Sequence, residues 1–91
     1  MQSLHTAQVG QLYRIARVRA SAAMPECDRQ LNELGFLAGE QVMVLRRSMP
    51  GADPLVVRIG MSTFALRAAE AALVELQADP EDARKVLAPH A

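Results

Sequence analysis

The sequence predicts a mainly-β domain: a small barrel of about five strands, with one short helix inserted between the first two and another short helix at the C-terminus. Runs of alternating apolar and polar residues recur at short spacing, and Gly or Pro turn signals punctuate them. One stretch, near residues 24–34, instead repeats its apolar residues with a helical period. Ninety-one residues leave room for a single domain, and 51% hydrophobic against 22% charged residues is globular composition.

The elements follow in chain order. Residues 1–10 carry no charge and close on Val9-Gly10, so they read as a lead-in to the first strand, which runs from about Gln11 to Ala20. In that strand Leu12, Arg14, Ala16 and Val18 alternate with Tyr13, Ile15, Arg17 and Arg19. Pro25 suits a first helical turn because its missing N–H would be unpaired there. Met24, Cys27, Leu31 and Leu34 then form the apolar stripe, and Gly35 supplies the stop. Gln41–Met49 and Leu55–Gly60 form a hairpin around Pro50-Gly51-Ala52-Asp53-Pro54. Ser62–Arg67 follows with Phe64 and Leu66 on one face, Ala68–Ala72 makes one helical turn, and Leu73–Gln77 is a last short strand. The barrel therefore occupies residues 1–77. Residues 78–91 form an acidic tail in which Asp79-Pro80-Glu81-Asp82 has the makings of a helix start.

Composition excludes several functions. Ten basic residues balance ten acidic ones, which is not the cationic excess that a phosphate backbone calls for, so no nucleic-acid partner is expected. With three aromatic residues, Tyr13, Phe36 and Phe64, the chain has neither stacking platforms for single strands nor the paved groove that binds proline-rich peptides. No apolar run approaches the roughly 20 residues of a membrane span, and the first residues lack a leader's basic and apolar regions, so a cytoplasmic protein with no membrane insertion is expected. A single cysteine and two histidines at opposite ends, His5 and His90, offer no local ligand set; neither metal nor cofactor is expected. Cys27 has no histidine near it in sequence and reads as a packed core thiol, not a nucleophile.

What remains is a binding module. Arg14–Arg67 holds eight basic and five acidic residues, a net of +3, whereas residues 68–91 hold two basic and five acidic, a net of −3. Arginine is the cation best suited to bidentate pairing with carboxylates. The candidate partner-binding residues are accordingly Arg67, Arg58, Arg46 and Arg47 on the strands, with Gly35, Phe36, Leu37 and Gly39 in the turn after the helix. Arg67 has an alternative, structural role as an ion pair with Glu70. Uncovered strand edges also allow weak self-association.

One stretch is specific. Arg29-Gln30-Leu31-Asn32-Glu33-Leu34-Gly35-Phe36-Leu37-Ala38-Gly39-Glu40-Gln41-Val42 resembles the signature segment of the FeoA family, the small ferrous iron transport protein A. The likeness continues through Asp53-Pro54-Leu55-Val56-Val57, then Ala65-Leu66-Arg67 with Glu70-Ala71, and the closing Leu73-Val74-Glu75-Leu76, so that it spans about residues 4–77. Ala38 departs from it, standing where the family often has proline. The resemblance implies an SH3-like barrel without a catalytic centre that acts in the cytoplasm with FeoB, a membrane ferrous iron permease bearing a GTPase domain. It also implies kinship with the C-terminal regulatory domains of iron-dependent repressors, with the stand-alone transport role preferred and a generic adaptor or regulatory domain as the alternative.

Overall fold

The computed structural model describes residues 2–48 and 53–77. Five strands, β1 (Leu12–Val18), β2 (Gln41–Arg47), β3 (Leu55–Ile59), β4 (Ser62–Leu66) and β5 (Val74–Leu76), form one antiparallel sheet in the order β4-β3-β2-β1-β5. Helix α1 (Cys27–Leu34) lies between β1 and β2, and the single turn α2 (Ala68–Ala71) between β4 and β5. The expected elements are present in the expected order. The anticipated C-terminal helix and the end of the second strand at Met49 fall outside the described residues.

β1 is the strand that gives the sheet its shape. Its first half pairs with β2, Leu12 opposite Met43 and Arg14 opposite Gln41; its second half pairs with β5, Ile15 opposite Leu76 and Val18 opposite Val74. The register shifts between Ile15 and Arg17, a bulge that bends the strand and exchanges its faces. Tyr13 and Ile15 therefore point inward while Arg17 and Arg19, which strict alternation would have placed beside them, are exposed. The turn before β2 locks onto the same point: Gly39 N–H donates to the Ile15 carbonyl at 2.8 Å and Ile15 N–H to the Glu40 carbonyl at 2.9 Å. Among the described residues the ladder does not join β4 to β5, so the barrel character comes from the wrapping of the sheet around one core.

That core takes residues from every strand, with Ile15, Val42, Val44, Leu55, Val57, Val74 and Leu76 fully or almost fully buried. The lead-in contributes more than a connection. Its 3₁₀ turn, Leu4–Thr6, inserts Leu4 into the core, and the preceding residues cover the outer edge of β5 through a Ser3–Glu75 bridge and a 2.8 Å bond from Leu76 N–H to the Gln2 carbonyl. The pairing closes an edge that would otherwise template another strand.

Helix α1 begins two residues later than Pro25 suggests. Glu26 adopts a left-handed conformation (φ +70°), and Cys27 N–H bonds back to the Met24 carbonyl, so Pro25 belongs to a turn ahead of the helix. The helix ends as expected at Gly35 (φ +115°), where Gly35 N–H reaches the Asn32 carbonyl and Phe36 N–H the Leu31 carbonyl. These two bonds are a Schellman stop, for which glycine is favoured because a Cβ is strained at that φ. The motif folds Phe36 back beside Leu31, and both are buried. Leu34, expected on the buried stripe, is 44% exposed: an eight-residue helix turns only Cys27 and Leu31 fully inward before the glycine redirects the chain.

Removing side chains tests this division. Leu31→Ala is expected to destabilise the fold by about 2–5 kcal/mol in denaturant unfolding, because it opens a cavity under the helix. Leu34→Ala is expected to lose less than about 1 kcal/mol, as surface positions do. Equal losses would place Leu34 in the core after all.

Candidate functional site

Outward-facing residues of β1, β2 and β3 line an open cleft of about 440 Å³: Leu12 and Arg14, Gln41 and Met43, and Arg58, with Gly39, Glu40 and Gly60 at its rim. The register explains the grouping, since Met43 is opposite both Leu12 and Arg58. Arg14 donates from Nη1 to the Gly39 carbonyl at 2.8 Å and thereby ties the first strand to the turn after the helix. Arg46 shares the outer face, opposite Val56 and hence two positions along β3 from Arg58. Arg67 stands one residue beyond β4. Among the described residues the exposed guanidinium groups of Arg46, Arg58 and Arg67 have no hydrogen-bond or ion-pair partner.

The remaining candidates are placed differently. Leu45 is the extra residue of a bulge in β2, and beyond it Arg47 sits opposite the buried Leu55. It is half-buried, and its Nη2 donates to the Ala7 carbonyl, so this arginine anchors the lead-in segment and is spent on the fold. Phe36 is fully buried, with its ring centroid 5.8 Å from that of Phe64; it shapes the turn from beneath and cannot itself touch a partner. Gly35 and Leu37 lie at the end of α1, where Leu37 is 47% exposed, and neither lines the cleft. Of the sequence candidates, Arg58 and Gly39 thus line one cleft, and Arg46 flanks Arg58 on the same face.

Arg17 and Arg19, exposed by the β1 bulge, grip one carboxylate. Arg17 Nε lies 2.9 Å from Glu75 Oε1 and Arg19 Nε 2.9 Å from Oε2. The hydrogen bond from Arg17 is the main reason the Glu75 carboxyl is held below its ordinary value; burial, the next effect in size, opposes it, and the charges of Arg17 and Arg19 reinforce it. These arginines clasp β1 to β5.

The motif residues Asp53 and Glu70 have a function that the sequence reading did not reach. Asp53 Oδ1 accepts the Ala68 N–H at 2.9 Å, and Glu70 Oε1 accepts the Arg67 N–H at 2.8 Å. Two otherwise orphaned donors at the start of α2 are thus capped, one of them by a residue 15 positions upstream. The Arg67–Glu70 relation is a backbone cap, which leaves the guanidinium group exposed. A legible signal existed in the absence of any Ser, Thr, Asp or Asn beside Ala68, which demands a cap from elsewhere.

Among the described residues no three His, Cys, Asp or Glu side chains gather to hold a metal ion. Cys27 is buried, and burial, then Glu70 and Asp28, push its thiol pKa up, away from a nucleophilic thiolate. No described helix is long and apolar enough to cross a membrane.

A sheet of this topology, wrapped on one core and carrying its exposed cations on the strands, defines an SH3-like domain. The family model of the FeoA domain matches residues 2–78, and the chain belongs to that family. No curated protein matches the sequence. Among solved structures, FeoA of Stenotrophomonas maltophilia is 32% identical over 86% of this chain and 92% of its own, with a TM-score of 0.78; that protein was crystallised with zinc and is described as a prokaryotic SH3 domain protein and a candidate ferrous iron transport activating factor. Iron(II) transport protein A of Clostridium thermocellum is 32% identical over 84% of this chain and 44% of its own, with a TM-score of 0.73. A manganese-dependent transcriptional repressor shares the fold at 24% identity and a TM-score of 0.67, over 84% of this chain and 41% of its own.

Two predictions follow from the local geometry. Asp53→Ala is expected to destabilise the domain by about 0.5–2 kcal/mol in denaturant unfolding, with Asp53→Asn losing less because it retains an acceptor. The depressed Glu75 pKa adds stability that is fully present above the unfolded carboxyl's ordinary 4.5 and is lost as pH falls through the lower folded value. Unfolding curves recorded over that acidic range should therefore show the wild type converging on Glu75→Gln; parallel curves would mean that the clasp contributes nothing.

Proposed function

We propose that the protein is a non-enzymatic accessory factor of ferrous iron uptake, which binds the cytoplasmic part of a FeoB-type membrane permease with a GTPase domain and tunes its activity. Membership of the FeoA family is the observation that carries this reading, and the description of the Stenotrophomonas relative as a candidate transport activating factor accords with it. The physical support is the exposed face bearing Arg46, Arg58 and Arg67, whose charge and shape suit a protein partner. Gly39 holds the rim of the cleft on that face, while Gly35 and Leu37 offer a second, apolar contact at the end of α1. The reading places the protein in the cytoplasm and requires neither cofactor nor nucleic acid.

A second reading rests on the fold shared with the manganese-dependent repressor: a regulatory SH3-like adaptor with no transporter partner. Affinity capture of the tagged full chain from detergent-solubilised, iron-starved cells separates the two. Recovery of a ferrous iron permease is expected; consistent recovery of another protein without any transporter would favour the adaptor. Arg67→Ala is expected to lower permease recovery and iron uptake while changing unfolding free energy by less than about 1 kcal/mol, because an exposed guanidinium group contributes little to stability. Normal recovery with only a lowered melting temperature would make Arg67 structural.

A further inference from the structure

The sheet has two ends that are treated in opposite ways. The outer edge of β5 is covered by Gln2 and Ser3, whereas among the described residues no backbone pairs with the outer edge of β4. β4, Ser62-Thr63-Phe64-Ala65-Leu66, pairs with β3 in unbroken register across all five of its residues. It has no bulge, no proline and no charged residue, the devices by which proteins usually protect an edge. Gly60 and Met61 alone separate β3 from β4, and a two-residue loop closes on a hydrogen-bonded pair, here Ile59 and Ser62. Antiparallel alternation then gives the backbone groups of Ser62, Phe64 and Leu66 to β3 and turns the N–H and C=O of Thr63 and Ala65 outward.

The side chains around this edge indicate what it would accept. Thr63 and Ala65 are small and exposed, Arg58 lies opposite Thr63 on β3, and Arg67 follows at the end of β4. An added strand would lie one spacing, roughly 5 Å, from β4 and two, roughly 10 Å, from β3, so Arg67 can meet its carboxylate directly and Arg58 by reaching over the small Thr63 side chain toward a glutamate that extends to meet it. The nearest acids are already engaged, Asp53 by the Ala68 N–H and Glu70 by the Arg67 N–H. A second copy of the chain paired here would bring two arginine pairs onto one face, which charge disfavours.

We propose that the outer edge of β4 receives an extended acidic segment of a partner protein by strand addition, with Thr63 and Ala65 supplying the backbone bonds and Arg58 and Arg67 taking its carboxylates. The register makes the recognised pattern two acidic residues four apart, one beside Thr63 and one beside Arg67, with a small or β-branched residue between them opposite Ala65. This deepens the docking reading above by naming the partner's chemistry and its mode of attachment.

The test uses the full chain, labelled for amide NMR, and a short end-capped peptide of Thr and Val carrying two glutamates four residues apart. The peptide should shift the amides of Thr63 and Ala65 and slow their hydrogen exchange. N-methylation of the peptide bonds that face β4, exchange of its glutamates for lysines, and Arg58→Glu with Arg67→Glu in the protein should each weaken binding at least about tenfold. Equal binding of the methylated peptide, shifts centred elsewhere, or no shift at millimolar peptide would overturn the proposal. Concentration-dependent shifts of the same amides without peptide would assign the edge to a second copy and overturn it too. Failure of the peptide while the permease is still captured by both wild type and the double variant would sink strand addition and leave the accessory role standing. Peptide binding as expected, with no permease captured, would do the reverse.

Discussion

The exchange of partners along β1 at Ile15 is the constraint on which the rest of the structure depends. A strand that hands its first half to β2 and its second half to β5 must bend, and the bulge after Ile15 supplies the bend. Ile15 itself is fully buried, and both its backbone groups are held by the turn that enters β2. From this one residue the inward faces of four other segments are set: β2 through Gly39 and Glu40, β5 through Leu76, the lead-in through its contact with β5, and α1 through the length of chain between β1 and β2. The outward set is fixed by the same register, which is why Leu12, Arg14, Met43 and Arg58 line one cleft.

Most of the architecture was legible in the sequence because each element carries its own local signal. Alternation marks the strands, Gly35 marks the helix stop, and Phe64 and Leu66 share a face as their spacing predicts. The misreadings share a cause. Strict alternation cannot register a bulge, so the faces of Arg17, Arg19 and Arg47 are not readable from it; the bulge in β1 turns Arg17 and Arg19 outward, and the one in β2 turns Arg47 inward. Leu34 illustrates the same limit in a helix, where two turns bring Cys27 and Leu31 inward and leave Leu34, at the helix end, exposed. The lead-in looked like a connection because pairing of Ser3 with Glu75 is a tertiary event with no trace in residues 1–10, apart from their lack of charge.

The arginines among the described residues fall into four groups. Arg17 and Arg19 clasp β1 to β5 through Glu75, Arg14 and Arg47 hold backbone carbonyls, Arg29 pairs with Glu26 on the helix surface, and Arg46, Arg58 and Arg67 face outward. Charge alone gives no means of sorting them, because the sorting is done by register. The family motif proved more informative about structure than about binding: its Asp53, Glu70 and Gly35 all satisfy backbone groups that the fold would otherwise leave unpaired.

The pairing of β1 with β5 also bears on how the chain reaches this state. Arg17 and Glu75 are 58 residues apart, whereas β2, β3 and β4 form a meander whose contacts are local. Contacts between distant residues carry a loop-closure entropy that local ones avoid, and topologies rich in them fold slowly. On the ribosome the meander can assemble as soon as it emerges, but the groove left beside the second half of β1 has no occupant until Leu76 is synthesised. The last strand, only three residues long, is therefore the piece that converts a partly ordered sheet into a closed core.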